Sequence, residues 1–205
     1  WAIEPDVRIE TDPITFEVDM AGDPASKKLA LLLHGFPESK FSWRHQMSVF
    51  ADQGYRVWAP NQRGYGHTTR PLGVANYTLD HLVSDVDKLI EASGCEEVTL
   101  VGHDWGGAVA WAFALRPPRP LARLIIMNLP HPTIFQKKVR TAKQFLRSWY
   151  TIFFQIPGLP EKFLSMREAE PIGKAFSEMA IDKSRFPQEV TDVYRKNALI
   201  PGALT

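Results

Sequence analysis

The chain has 205 residues, 44% apolar and 23% charged, with 24 Lys and Arg set against 23 Asp and Glu. That is ordinary globular composition, and a net charge of +1 gives nucleic acid nothing to hold. A single cysteine, Cys95, excludes an intramolecular disulfide. No run is apolar enough to span a bilayer and no signal peptide opens the chain, so a cytoplasmic location is expected. Position 1 is Trp, so the native start is expected to lie upstream.

In chain order, Val7–Glu10 and Ile14–Met20 alternate apolar and polar residues, the pattern of half-exposed antiparallel strands. Lys28–Leu33, KLALLL, suits a strand buried on both faces of a parallel sheet. An amphipathic stretch over Trp43–Gln53 precedes a strand at Tyr55–Ala59. Amphipathic helical patterns at Asp80–Ala92 and Trp105–Leu115 enclose a strand at Val98–Val101, and Leu124–Met127 reads as another strand. Strands alternating with helices predict an α/β fold, a mostly parallel central sheet flanked by helices. Composition shifts after Pro130-His131-Pro132, and from there to Thr205 helical patterns are broken by Pro and Gly. The expected division is a core over 1–131 and a helical subdomain over 132–205, inserted after the sixth strand. Lys137, Lys138, Arg140, Lys143 and Arg147 read as a solvated helix face.

Two glycine clusters bear on chemistry. Gly102, Gly106 and Gly107 lack the spacing of a dinucleotide fingerprint, and Gly107-Ala108-Val109 lacks the Lys-Ser/Thr of a P-loop. Gly64-Tyr65-Gly66 has Thr69 where a third glycine belongs. EEVTLVGHDWGG instead reads as strand, Gly-x-Asp-x-Gly, helix. That is a nucleophile elbow with Asp104 on the bend, and its flanking glycines let strand and helix pack closely. The Trp105 N–H then lies at a helix N-terminus, where it can face a developing oxyanion. The plainer alternative makes Asp104 an N-cap and the glycines a tight turn. A second motif, LLLHGFPES, leaves the buried strand at His34-Gly35-Phe36-Pro37 and places the Phe36 N–H as the other oxyanion donor. Phe36-Pro37 is a candidate cis bond.

His34-Gly35-Phe36-Pro37, Arg63-Gly64-Tyr65-Gly66 and Gly102-His103-Asp104-Trp105-Gly106-Gly107, in that order, resemble the epoxide hydrolases of the α/β-hydrolase superfamily. SWYTIFFQIPGLPE, residues 148–161, resembles their cap domain. The resemblance implies the α/β-hydrolase fold with 132–205 as an incomplete helical cap, the core's C-terminal strands and helices lying beyond this chain.

It also implies a reaction without cofactor or metal, in which a small-molecule epoxide and water give a vicinal diol. An aspartate side chain, with a reference pKa of about 3.9, is ionised near neutrality and can attack saturated carbon without a base. Asp104 would form an alkyl ester; water would then attack its carbonyl, with the oxyanion facing Phe36 and Trp105. Phe36, Pro37, Trp105 and Tyr150 would line the pocket. An epoxide opens to an alkoxide that needs an acid, a role the resemblance carries onto Tyr150. The family's base His, the acid that orients it and a second cap Tyr would follow Thr205, so a further segment of the fold is the expected partner.

None of His34, His45, His67, His81, His103 or His131 matches that base. His34 and His103 read as local hydrogen-bond partners, His45, His67 and His81 as surface or loop residues, and His131 as shaping the entry to the cap. Asp85 and Asp87 read as a solvated helix face and Cys95 as a buried thiol. A haloalkane dehalogenase shares the Asp-Trp pair but needs no proton donor, and HGFP and the Tyr150 segment speak against it. A non-catalytic binding protein of the same fold is the alternative from another class.

Overall fold

The computed structural model describes residues 1–139, 153–154 and 156–204. The chain divides into two compact units, Trp1–Leu129 and Pro130–Thr205.

The first unit is built on a six-stranded sheet of order β1-β2-β4-β3-β5-β6. An antiparallel hairpin of β1 (Glu4–Thr11) and β2 (Ile14–Ala21) lies at one edge, with β2 antiparallel to β4 (Arg56–Pro60). From β4 onward β3 (Lys28–Leu33), β5 (Glu97–His103) and β6 (Arg123–Met127) run parallel. The KLALLL run is apolar because both faces of β3 are covered. Leu29, Leu31 and Leu33 join one core cluster, under Val86, Leu89 and Ile90 of α2 (Leu79–Ser93) and Val109 and Phe113 of α3 (Trp105–Leu115). Ala30 and Leu32 face the other way, against Trp43 and against Met47 and Ala51 of α1 (Gln46–Asp52). The period-2 alternation of one strand thus supplies both interfaces of a helix–sheet–helix sandwich.

Four expectations need correction. β2 is almost wholly buried, because it is an interior strand and its polar residues are satisfied internally. Glu17 Oε2 accepts from Asn61 Nδ2 at 2.6 Å and from the His67 N–H at 2.9 Å, while Asp19 pairs with Lys40. α3 is not amphipathic; it is apolar around its circumference, and its inward face carries two glycines that bring it close to the sheet. Asp85 is no solvated residue either. It is buried on α2 against Arg63, with Nε–Oδ2 at 2.8 Å and Nη2–Oδ1 at 2.6 Å, whereas Asp87 is half-buried and pairs with Arg119. Cys95 is half-buried rather than buried.

The chain leaves β3 for β4 on one side, then crosses back to β5 on the other. β3 and β5 are therefore neighbours whose following loops diverge, the switch point beyond whose carboxyl ends sheets of this kind bind ligands. Leu33 of β3 stands in register with Gly102 of β5, so HGFP and the Asp104 turn emerge side by side.

The second unit contains α4 (Pro132–Val139), α5 (Leu159–Met179) and α6 (Gln188–Ala198). α5 is broken at Met166–Ala169 by three left-handed residues ahead of Pro171. Arg195 of α6 donates to the Glu168 carbonyl at 2.9 Å. The Phe176 ring stacks on Tyr194 at 4.1 Å, closing this unit's small core beside Ile172.

Candidate active site

Asp104 stands alone between β5 and α3, at φ 50° and ψ −119°. A non-glycine residue with positive φ is costly unless its surroundings impose it. Here its N–H donates to the Met127 carbonyl at 3.3 Å and its carbonyl accepts from the Ala108 N–H at 3.1 Å. The flanking glycines are needed for contact: a Cβ on Gly102 would lie 2.5 Å from the Gly106 carbonyl oxygen, and one on Gly106 2.3 Å from that of Leu33.

The N-cap alternative fails on geometry, since the Asp104 side chain makes no capping hydrogen bond to α3. Its Oδ2 accepts the Phe36 N–H at 3.1 Å, which joins the two motifs across 68 residues of sequence. This approach requires Gly35, where a Cβ would come within 2.6 Å of Asp104 Cβ. The Trp105 N–H, at the first position of α3, has no carbonyl in its own helix to reach. The Trp105 side chain is 60% exposed, whereas Phe36 and Pro37 are half-buried and joined by a cis bond. Tyr150 lies outside the described residues.

A polar network holds the HGFP loop. Glu38 Oε2 accepts the Gly35 N–H at 2.8 Å and meets His103 Nδ1 at 3.1 Å. Burial by itself would raise the Glu38 carboxyl, but the hydrogen bonds from His103 and Gly35 outweigh it and hold the group below its ordinary value. The same Glu38 bond holds the His103 ring above its ordinary value, against the opposing effect of burial. His34 is fully buried: its Nε2 accepts the Gln62 N–H at 3.1 Å and its Nδ1 lies 2.9 Å from the Gly35 carbonyl. Only a neutral ring both accepts and donates in this way, and burial pushes its pKa down to about 4. Tyr65 packs edge-on against His34 at 4.6 Å. Its hydroxyl is held well above the ordinary range by burial and by the carboxylates of Asp104 and Glu38. Asn61 completes the network, its Oδ1 accepting the Lys40 N–H at 2.9 Å while Lys40 Nζ bridges Asp6 and Asp19.

Sequence reasoning located the turns that carry Asp104 and Phe36 and read His34 and His103 as hydrogen-bond partners. It missed Glu38, whose partner His103 lies 65 residues further along the chain. Among the described residues, no group of three His, Cys, Asp or Glu is arranged to hold a metal ion, and no helix is long and apolar enough to cross a membrane.

Residues 29–171 match the family model described as alpha/beta hydrolase fold. Human "Epoxide hydrolase 4" is 41% identical over 172 residues, 83% of this chain and 47% of that protein. "AB hydrolase superfamily protein YfhM" of Bacillus subtilis is 38% identical over 198 residues, 96% of this chain and 68% of that one. The crystal structure of Bacillus megaterium epoxide hydrolase in complex with an inhibitor superposes with a TM-score of 0.86 at 30% identity, covering 97% of this chain and 69% of that chain. The chain spans about half the length of the human relative. Strand order, elbow and comparisons together place it: the chain belongs to the α/β-hydrolase fold family and, within it, to the epoxide hydrolases.

Proposed function

We propose that this protein hydrolyses an epoxide to a vicinal diol through an alkyl ester on Asp104. The supporting observation is the Asp104 carboxylate itself. It is displayed on a strained bend, with Oδ2 fixed by the Phe36 N–H and Oδ1 free of hydrogen bonds among the described residues. Oδ1 attacks a ring carbon, the C–O bond breaks, and the alkoxide takes a proton from an acid, the part that the family resemblance gives to Tyr150. Water then adds to the ester carbonyl. The negative charge develops on what was an Asp104 oxygen, where the Phe36 and Trp105 N–H groups stabilise it. For the base of this second step the family resemblance gives a His, a part that none of the six histidines of this sequence matches by motif. The substrate class comes from the relatives, since an Asp elbow by itself serves a haloalkane equally well. Offering the complete gene product an aryl epoxide and, separately, a primary haloalkane tests the choice. Diol formation without halide release is expected; halide release without diol overturns the epoxide reading.

A further inference from the structure

Three consecutive non-glycine residues inside α5 have left-handed backbone: Arg167 at φ 48° and ψ 50°, Glu168 at 57° and 45°, and Ala169 at 58° and 33°. Such residues normally occur singly and as glycine, because a Cβ there crowds the following carbonyl oxygen. Arg, Glu and Ala, with Met166 before them, are instead good formers of right-handed helix. Local preference and observed backbone disagree here, so contacts from elsewhere must hold the turn. Pro171 accounts for a break but not for its hand: it has no N–H to give the Arg167 carbonyl, which a continuous helix would leave unpaired. Arg195 of α6 supplies the missing donors. Its Nε donates to the Glu168 carbonyl at 2.9 Å and its Nη2 to the Arg167 carbonyl at 3.5 Å, while Asp192 Oδ1 accepts from Nη1 at 2.7 Å and orients the guanidinium. The Arg195 stem passes Gly173 of α5, where a Cβ would lie 3.0 Å from its Cδ. The side chains of Arg167 and Glu168 are exposed, so the turn is held through its carbonyls and the burial of Ala169. Before the turn, Leu159, Phe163 and Met166 share one exposed apolar face of the helix. After it, Phe176 anchors the second half on Tyr194 of α6.

We propose that residues 166–169 form a hinge with two arrangements and that Arg195 is its latch. Latched, the turn is left-handed as described. Released, these residues pass to the right-handed backbone that their side chains favour, and the half-helix 159–165 swings with its apolar face about the half anchored on α6. The latched arrangement is the one that accepts the epoxide, a statement that rests on the reading of this unit as the cap of an epoxide hydrolase. When only a fraction of the molecules can bind, apparent affinity falls by that fraction, and saturating substrate restores the competent form. Loss of the latch therefore raises KM and spares kcat.

The test is amide hydrogen exchange by mass spectrometry on the complete gene product, with steady-state kinetics on an aryl epoxide. Glu168→Gly decides the hand of the turn, because glycine is at ease in left-handed backbone and costly inside a right-handed helix. In E168G, exchange across residues 159–169 slows on the order of 10-fold; faster exchange overturns the proposal. In R195M, exchange there rises on the order of 10-fold or more while residues 173–179 keep the parental rate. KM rises by a similar factor and kcat is kept. The double variant R195M/E168G returns both readouts towards the parent. Should R195M fail to fold, R195K takes its place, since one ammonium cannot span two carbonyls and Asp192 in the manner of a planar guanidinium. Exchange at the parental rate in the Arg195 variant overturns the latch, and so does equal loosening of both halves of α5, which marks a merely structural arginine. Selective loosening with KM unchanged overturns the assignment of the latched arrangement to substrate entry. A parent that turns over no epoxide overturns the epoxide hydrolase reading instead, and the exchange pattern then decides the hinge by itself.

Discussion

At the scale of single residues, the site depends on places where no side chain fits and on one ring that must stay neutral. Gly106→Ala drives a Cβ to 2.3 Å from the Leu33 carbonyl oxygen, which backbone cannot yield cheaply. We expect a loss of about 1–3 kcal/mol in urea unfolding, and an unchanged midpoint would contradict the elbow's packing. His34 sets part of the acid stability. Its folded pKa of about 4 lies below the unfolded value of about 6.5, so the unfolded chain protonates first. The contribution of the neutral ring is complete above pH 6.5, declines as pH falls towards 4 and is gone below that, about 3 kcal/mol in all. His103 carries the opposite sign: raised by its bond to Glu38, it stabilises below pH 6.5 and ceases to as pH rises through its folded value. His34→Gln should flatten the decline between pH 6.5 and 4 relative to the parent. Parallel curves would mean that His34 does not stay neutral there. Tyr150→Phe should slow ester formation on the order of 10²–10⁴-fold if Tyr150 is the acid, and an unchanged rate removes it from that role.

Elements carry the next level of constraint. The Arg63–Asp85 pair joins the loop after β4 to α2, and Arg63 also donates to the Asn76 carbonyl at 3.0 Å, pinning the segment between them. With side chains 4% and 7% exposed, removal of one partner strands a buried charge. Asp85→Ala should cost about 3–5 kcal/mol, and the double change Arg63→Met with Asp85→Leu should restore much of it. A loss below about 1 kcal/mol in the single variant would show that water reaches the guanidinium. This pair also shows where sequence stops being legible. The apolar positions of α2 were visible as Val86, Leu89 and Ile90 at helical spacing. Asp85, just before them, looked solvated, because its partner lies 22 residues upstream in a loop whose path no local pattern encodes. β2 misled for the same reason: Glu17 and Asp19 mark a wet face only if no Asn61 or Lys40 reaches them. The elbow was legible because its demands are local, a strand, two glycines and a helix within about a dozen residues. Glu38 was not, because its meaning comes from His103, which the β3–β5 register brings beside it.

On the scale of the whole molecule, the sheet ends on an open edge. β6 pairs with β5 on one side, no strand covers its other side among the described residues, and Ile125 is exposed. Such an edge is a template for another strand. The 205-residue chain made by itself should therefore self-associate, and Ile125→Lys should reduce this on a sizing column; a monodisperse monomer with a cooperative melt would contradict that expectation. The proposed reaction stands on Asp104 attacking carbon. The direct measurement is one turnover of an epoxide in ¹⁸O-water by the complete gene product, with enzyme in excess. Attack by Asp104 leaves unlabelled oxygen in the diol and puts a single ¹⁸O into the Asp104 carboxylate, located by peptide mass spectrometry. Labelled diol from an enzyme whose Asp104 stays unlabelled would contradict it, because water would then have attacked the epoxide directly.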